Sequence, residues 1–228
     1  MKSKVVVLLS AGLDSSVNLY RAAQDHEVVL TLTFDYGQKA AKKELESAQK
    51  LARQLQVPHK VLNLNWFKDF NKSSLLVDSE TVPTGTQIQM DDKVASEASA
   101  KSVWVPNRNG IFLNIAAAFA EALGAQYAIP GFNIEEAATF PDNSEAYMQK
   151  LDASFAYSTA NKVQVKCFTS ALNKAEIVSL GETLNVPWHL IWPCYFSREK
   201  WCGQCESCQR AKRAFKTAQV PVEALFNE

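Results

Sequence analysis

The sequence predicts an α/β fold: a Rossmann-like parallel sheet covered by helices, with a C-terminal four-cysteine segment. Three observations carry this. Apolar, strand-like runs alternate with helix-period stretches along the chain. The first run passes directly through a turn of small residues into a helix start. Four of the five cysteines lie within fifteen residues near the end.

Residues 5–9 form an unbroken apolar run, as in a strand buried on both faces. Ser10, Ala11, Gly12, Leu13, Asp14, Ser15 and Ser16 follow, then Val17, Asn18, Leu19 and Tyr20 with helical potential. A buried strand feeding a helix N-terminus through small side chains is an anion site, because backbone N–H groups can approach phosphate oxygens. Asp14 in such a turn suggests a bound Mg²⁺ or a place beside a departing pyrophosphate. Alanine tolerates positive φ poorly, so Ala11 is expected either at negative φ or in a reshaped loop.

Residues 28–34 read as a second buried strand, ended by Asp35, Tyr36, Gly37 and Gln38. A helix over 39–55 carries Leu45, Ala48, Leu51, Ala52 and Leu55 on one face and stops at Val57-Pro58. Residues 60–64 alternate as a third strand. Residues 65–105 show little period, the pattern of a lid, a binding loop, a dimer arm or a mobile surface loop. Asn109 is the expected cap of the next helix, which runs to Leu123. Residues 126–130 form a short strand before Gly131, Phe132 and Asn133. Asn143 or Ser144 caps a helix to about 157, and residues 162–168 give another strand. Asn173 with Glu176 is a capping-box start to a helix ending near 184, and a last short helix is expected over 210–218. The expected division is an α/β domain over 1–186 and a metal-binding, helical segment over 187–228. Ligands in such sheets bind at the carboxyl ends of the strands, which gathers the first loop, 35–38, 106–109, 131–133 and 169–174 around one pocket.

Cys194, Cys202, Cys205 and Cys208 follow C-x7-C-G-Q-C-E-S-C, with Gly203 in the knuckle. Four thiolates at this spacing suit one tetrahedral, structural Zn²⁺ per chain. An iron–sulfur cluster uses the same ligand set and is the runner-up. Disulfides are disfavoured by the unpaired Cys167 and by the absence of a secretory segment. Arg198, Lys200, Arg210, Lys212, Arg213 and Lys216, against Glu199 and Glu206, are read as local compensation for the charge of a metal–thiolate centre. The formal net charge is 0 and the pI about 6.8, which argues against a broad nucleic-acid surface and direct nucleic-acid partners. No apolar run reaches the roughly 18 residues that span a bilayer, so no membrane partner is expected and the cytoplasm is the default location. His26, His59 and His189 are scattered and form no catalytic or metal set.

The first loop is neither G-x-x-x-x-G-K-[ST] nor G-x-G-x-x-G. It resembles the S-G-G-x-D-S pyrophosphate loop of ATP pyrophosphatases, with Ala11 in place of the first glycine. Further segments extend the likeness: Phe34-x-Tyr36-x-Gln38, Val105-Pro106-x-Arg108-Asn109-x-x-Phe112-Leu113, Pro141-Asp142, Leu172-x-Lys174-Ala175-Glu176, and Cys194-Tyr195 with the late C-G-x-C-x-x-C. Together, from residue 5 to about 215, they resemble the 7-cyano-7-deazaguanine synthase family of the queuosine pathway. One block departs: where the family has Ser-Gly-Tyr and, later, Arg, this chain has Ala138-Thr139-Phe140 and Ser144.

The resemblance implies an adenine-nucleotide-hydrolase-like fold and an ATP-dependent carbon–nitrogen ligase. It would turn a deazapurine carboxylate and ammonia into a nitrile through adenylated acid and amide, with Mg²⁺ accompanying ATP and with the chain acting as a homodimer. It assigns the stretch Leu9, Ser10, Ala11, Gly12, Leu13, Asp14, Ser15, Ser16, Val17, Asn18 and Leu19 to ATP. Asp14, Arg108 and Lys174 become catalytic candidates, and Tyr36, Gln38, Asn109, Asn133 and Asp142 substrate-binding ones. Arg108 and Lys174 are cations at helix starts, positions the helix dipole disfavours unless an anion is present. A ligase that stops at the amide or takes another carboxylate, a tRNA-modifying relative, and a zinc-ribbon module without catalysis are the alternatives.

Overall fold

The computed structural model describes residues 2–70, 73–76, 82–85 and 101–227. Most of the irregular 65–105 stretch, with its reading as lid or dimer arm, therefore lies outside the described residues. Five parallel strands form one sheet in the order β3-β2-β1-β4-β5: β1 Lys4–Leu8, β2 Glu27–Asp35, β3 His59–Asn63, β4 Tyr127–Ile129 and β5 Gln164–Val165. The helices are α1 Leu13–Asp25, α2 Ala41–Gln54, α3 Arg108–Ala122, the single turn α4 Ile134–Ala137, α5 Glu145–Ser158, α6 Lys174–Thr183 and α7 Glu206–Thr217.

The central strand explains the two-layer core. Val5, Val6 and Val7 are all fully buried. Because successive strand side chains point to opposite faces, Val5 and Val7 join one apolar layer and Val6 the other. The first layer holds α1, α2, α6 and α7, and the second holds α3 and α5. The segment after residue 186 belongs to the first layer: Trp201, Phe215 and Phe226 share a core with Val5, Val7 and Leu19. Strand order reverses at β1, so the crevice beyond its carboxyl end, between β1 and β4, is the expected ligand cleft.

Several element boundaries differ from the sequence reading. Asn107, not Asn109, stands at the start of α3, in a left-handed conformation (φ +50°) and without a side-chain cap bond. Asn109 lies inside the first turn, where Asn tolerates helix geometry because its amide oxygen accepts from Arg108 Nε (3.2 Å). Only Gln164–Val165 of the 162–168 run pairs as strand. Lys162, at φ +53°, turns the chain immediately before it. The last helix starts at Glu206 rather than 210, because Cys205 stands at its N-cap. Ser144 does cap α5, accepting from Tyr147 N, and Asn173 with Glu176 forms the complete capping box.

Ala11 sits at φ +60°, so the loop keeps a left-handed residue and alanine bears the cost, roughly 1–2 kcal/mol. Its side chain is fully buried and its carbonyl accepts from Trp192 N at 2.7 Å, which holds the conformation. Gly131, just past β4, meets the first loop so closely that a Cβ would lie 2.5 Å from Ser15 N. Gly131→Ala should therefore force the two loops apart. An overpacking cost of about 1–3 kcal/mol predicts a melting temperature lower by several degrees, measured by scanning calorimetry. An unchanged transition would show that the loops are not in contact.

Candidate active site

The crevice beyond β1 is one cavity, walled by the first loop, the 34–44 turn, the start of α3, residues 130–143 and residues 192–211. Hydroxyls organise the first loop. Ser10 Oγ lies 3.0 Å from Ser15 Oγ and accepts from Gly12 N at 3.3 Å, while Ser15 and Ser16 donate to the Gly12 carbonyl. The result is a compact turn at the N-terminus of α1, whose free N–H groups and dipole favour an anion. Of the stretch expected to meet ATP, Leu9, Ser10, Gly12, Leu13, Asp14 and Ser15 line the cavity. Ala11, Val17 and Leu19 are in the core, and Ser16 is buried against Gly12. Asn18 is also buried, and its amide bridges the Asp14 carbonyl, Thr169 Oγ1 and Phe168 N, tying α1 to the chain beyond β5.

Lys174, the first residue of α6, reaches across to Asp14. Its Nζ lies 3.1 Å from Asp14 Oδ2 and 2.7 Å from Glu136 Oε1. Burial opposes the ammonium, but Asp14 and Glu136 outweigh it, so Lys174 holds its proton more firmly than an ordinary lysine. Burial pushes the Asp14 carboxyl up, against the pull of Lys174. Burial acts the same way on Glu136, but there Lys174 prevails and the carboxyl titrates below its usual range. Asp14 Oδ2 also accepts from Asn133 Nδ2 at 3.2 Å, whereas Oδ1 is buried with no hydrogen-bond partner among the described residues. Asn133 does not line the cavity; it caps α4 and steadies Asp14.

A second polar group stands at the other side of the cavity. Arg108 hydrogen-bonds the Tyr36 hydroxyl and is attracted to Asp142, both cavity-lining. Gln38 lines the cavity too, but its amide is occupied within the turn. Nε2 donates to the Phe34 carbonyl and to Glu44 Oε2 (2.8 Å), and Oε1 accepts from Tyr36 N. Gln38 thus aims Glu44, a cavity residue the sequence reading did not single out. Burial pushes the Glu44 carboxyl up to about 7, with Gln38 and Arg108 pulling the other way.

The four cysteines are buried and their Sγ atoms all lie within 4.8 Å of one another, placed to hold a metal ion. Cys202 Sγ and Cys208 Sγ are 3.8 Å apart, close to the separation that four sulfurs about 2.3 Å from a tetrahedral zinc would have. Phe196 N and Cys202 N donate to Cys194 Sγ, and Gln204 N and Cys205 N to Cys202 Sγ, which favours thiolates. Four of the six basic residues around the cluster have other partners. Arg210 pairs with Glu206 (2.7 Å) and Glu135 (3.8 Å), Arg213 approaches Glu135, and Lys212 and Arg198 lie over the rings of Phe226 and Phe196. Charge compensation of sulfur is therefore not the role of Arg210, which lines the cavity with Glu206 and Ser207. The cysteine cluster sets the start of α7 and so aims Arg210 at the site.

This sheet order, with a turn of small residues after its central strand, defines a doubly wound α/β protein whose cleft lies beyond the strands' carboxyl ends. The fold matches NMN synthetase from Francisella tularensis (TM-score 0.50, 16% identity, 98% of this chain and 79% of that one). It also matches a 4-thiouridine synthetase solved with RNA and ATP (TM-score 0.51, 17% identity, 95% of this chain and half of that one). The family model described as "Queuosine biosynthesis protein QueC" matches residues 4–219. The 7-cyano-7-deazaguanine synthase of Bdellovibrio bacteriovorus is 64% identical over 99% of this chain and 98% of its own length. That of Pelotomaculum thermopropionicum is 50% identical over 96% and 99%. The chain belongs to the 7-cyano-7-deazaguanine synthase family of enzymes. Among the described residues no helix is long and apolar enough to cross a membrane.

Two outcomes are expected from this geometry. Cys208→Ala should lose bound metal, measured by native mass spectrometry, and lower the melting temperature; a variant retaining full metal content would refute the four-sulfur site. Glu44 has a folded pKa above its unfolded one, so the native state takes up protons between about 4.5 and 7 and loses stability as pH rises through that window. Glu44→Gln should remove that loss, so its melting temperature relative to wild type rises between pH 5 and 8. A constant difference would show that Glu44 is ordinarily ionised.

Proposed function

We propose that this protein converts 7-carboxy-7-deazaguanine and ammonia to 7-cyano-7-deazaguanine, consuming two ATP. The observation that carries the reading is the cluster of Asp14, Lys174 and Glu136 against the Ser10–Ser15 turn, in a chain 64% identical to a curated synthase of that name.

In the first half-reaction a carboxylate oxygen attacks the α-phosphorus of ATP and pyrophosphate departs. The chemistry needs this because an oxide ion is a poor leaving group and AMP is a good one. Ser10, Ser15 and the free N–H groups at the start of α1 hold phosphate oxygens. Lys174, kept protonated, faces the charge that develops on the pyrophosphate. Ammonia then attacks the acyl carbon, AMP leaves and a proton is lost, giving the amide. In the second half-reaction the amide oxygen is adenylated in turn. Loss of AMP and of the nitrogen-bound protons leaves the nitrile. Arg108, with its planar fork, holds the substrate's carboxylate or the phosphate of its adenylated form. Tyr36, Asn109 and Asp142 line the substrate's side of the cavity. Asp14 Oδ1, buried and without a hydrogen-bond partner among the described residues, would hold a Mg²⁺, which would supply positive charge to phosphate oxygens. Cys194, Cys202, Cys205 and Cys208 would hold a structural Zn²⁺, which would steady the fold around the start of α7. Free ammonium is the nitrogen source, and a homodimer in the cytoplasm is the working form.

Mass spectrometry of products tests this. Protein incubated with the deazapurine acid, ATP, Mg²⁺ and ammonium should yield the nitrile, AMP and pyrophosphate. Accumulation of the amide alone would show that the altered 138–144 block supports only the first half. Lys174→Met should lower kcat by about 10²- to 10³-fold, the usual loss for a charged transition-state donor. Activity within twofold of wild type would remove Lys174 from the mechanism.

A further inference from the structure

One end of the cavity is aromatic in a way that the phosphate chemistry does not use. Trp104, just before α3, and Phe140, just after α4, both line the cavity and are half-buried. Their planes are 4° from parallel and their centroids 6.0 Å apart. Among the described residues the other stacked pair, Phe34 and Phe112, is closed to 4.0 Å. Trp201 with Phe226 (89°) and Trp188 with Phe215 (84°) meet edge-on instead. Trp104 and Phe140 are thus aligned like a stack, with centroids 2.0 Å further apart than in the closed pair, and both present ring surface to the cavity. The two segments carrying these rings also carry Arg108 and Asp142, which attract one another. The Asp142 carboxylate is an acceptor for the N–H edge of a guanine-like heterocycle, and Arg108 beside it is a donor for the acid group that the ring carries.

We propose that Trp104 and Phe140 form the stacking walls for the planar heterocycle of the acid substrate, and so set specificity for a fused bicyclic ring. This rests on the function proposed above and adds the subsite that recognises the ring. Stacking is indifferent to the carboxyl, amide or nitrile carried by the ring, so the same walls retain the intermediate between the two ATP-dependent halves.

Calorimetric titration with 7-cyano-7-deazaguanine, and separately with a non-hydrolysable ATP analogue, tests the assignment. Trp104→Leu and Phe140→Leu should each weaken nitrile binding by on the order of 5- to 100-fold, the usual loss of a stacked ring, and leave the ATP analogue within twofold. Nitrile affinity unchanged in both variants overturns the assignment. Loss confined to the ATP analogue also overturns it, giving the pair to adenine instead. Should the leucine variants fail to fold, Trp104→Phe decides. It keeps a ring, so it should bind the nitrile normally yet lose most of the ligand-induced quenching of tryptophan fluorescence; undiminished quenching refutes a stack on Trp104. Wild-type protein that binds the ATP analogue but not the nitrile sinks the proposed function as well. Nitrile binding with unaffected variants sinks the stacking assignment alone.

Discussion

The site depends on one buried ammonium. Lys174 Nζ, with 8% of its side chain exposed, is held between Asp14 Oδ2 and Glu136 Oε1. Those three residues come from α6, α1 and α4, elements that follow three different strands. A buried charge left without its partner costs several kcal/mol, so the three elements cannot drift apart independently. The cluster therefore holds more carboxylate than ammonium, two to one, and one buried carboxylate oxygen, Asp14 Oδ1, has no hydrogen-bond partner among the described residues.

Secondary positioning comes from Asn133, Asn18 and the four-cysteine cluster. Asn133 holds Asp14 while capping α4. Asn18 ties Asp14's own carbonyl to Thr169 and Phe168. The four-cysteine cluster does the same for the opposite wall. It fixes where α7 begins, and α7 carries Glu206 and Arg210 to the site. Residues 84–85 are stitched onto the same knuckle through the Thr84–Cys205 bridge and the Gly85 N bond to the Gln204 carbonyl. The cluster thus anchors both a helix and part of the long excursion between β3 and α3.

Much of this was legible in the sequence, because the signals were local. The apolar run into Ser10-Ala11-Gly12 specified strand, cradle and helix start together. Asn173 with Glu176 fixed its own capping box, and the cysteine spacing fixed its own cluster. What failed depended on distant partners. Ala11 at φ +60° contradicts alanine's local preference and is held by Trp192, far along the chain. Asn109 looked like a cap because nothing local shows that Asn107 turns left-handed. Glu44 read as one acid among several on an amphipathic helix; only the fold brings Arg108 and Gln38 to it. Arg210 looked like part of a basic cluster until Glu206 and Glu135 were seen to claim it.

The register of the central strand bears on how the chain is made. Val5 pairs with Tyr127 on one edge and Val28 on the other, so β1 lacks its second neighbour until about 120 further residues have been synthesised. At 5–20 residues per second that is a wait of roughly 6–24 s with one edge open. The bond from Trp192 N that holds Ala11 comes later still. The first loop to leave the ribosome therefore takes its final shape only after residue 192 has emerged.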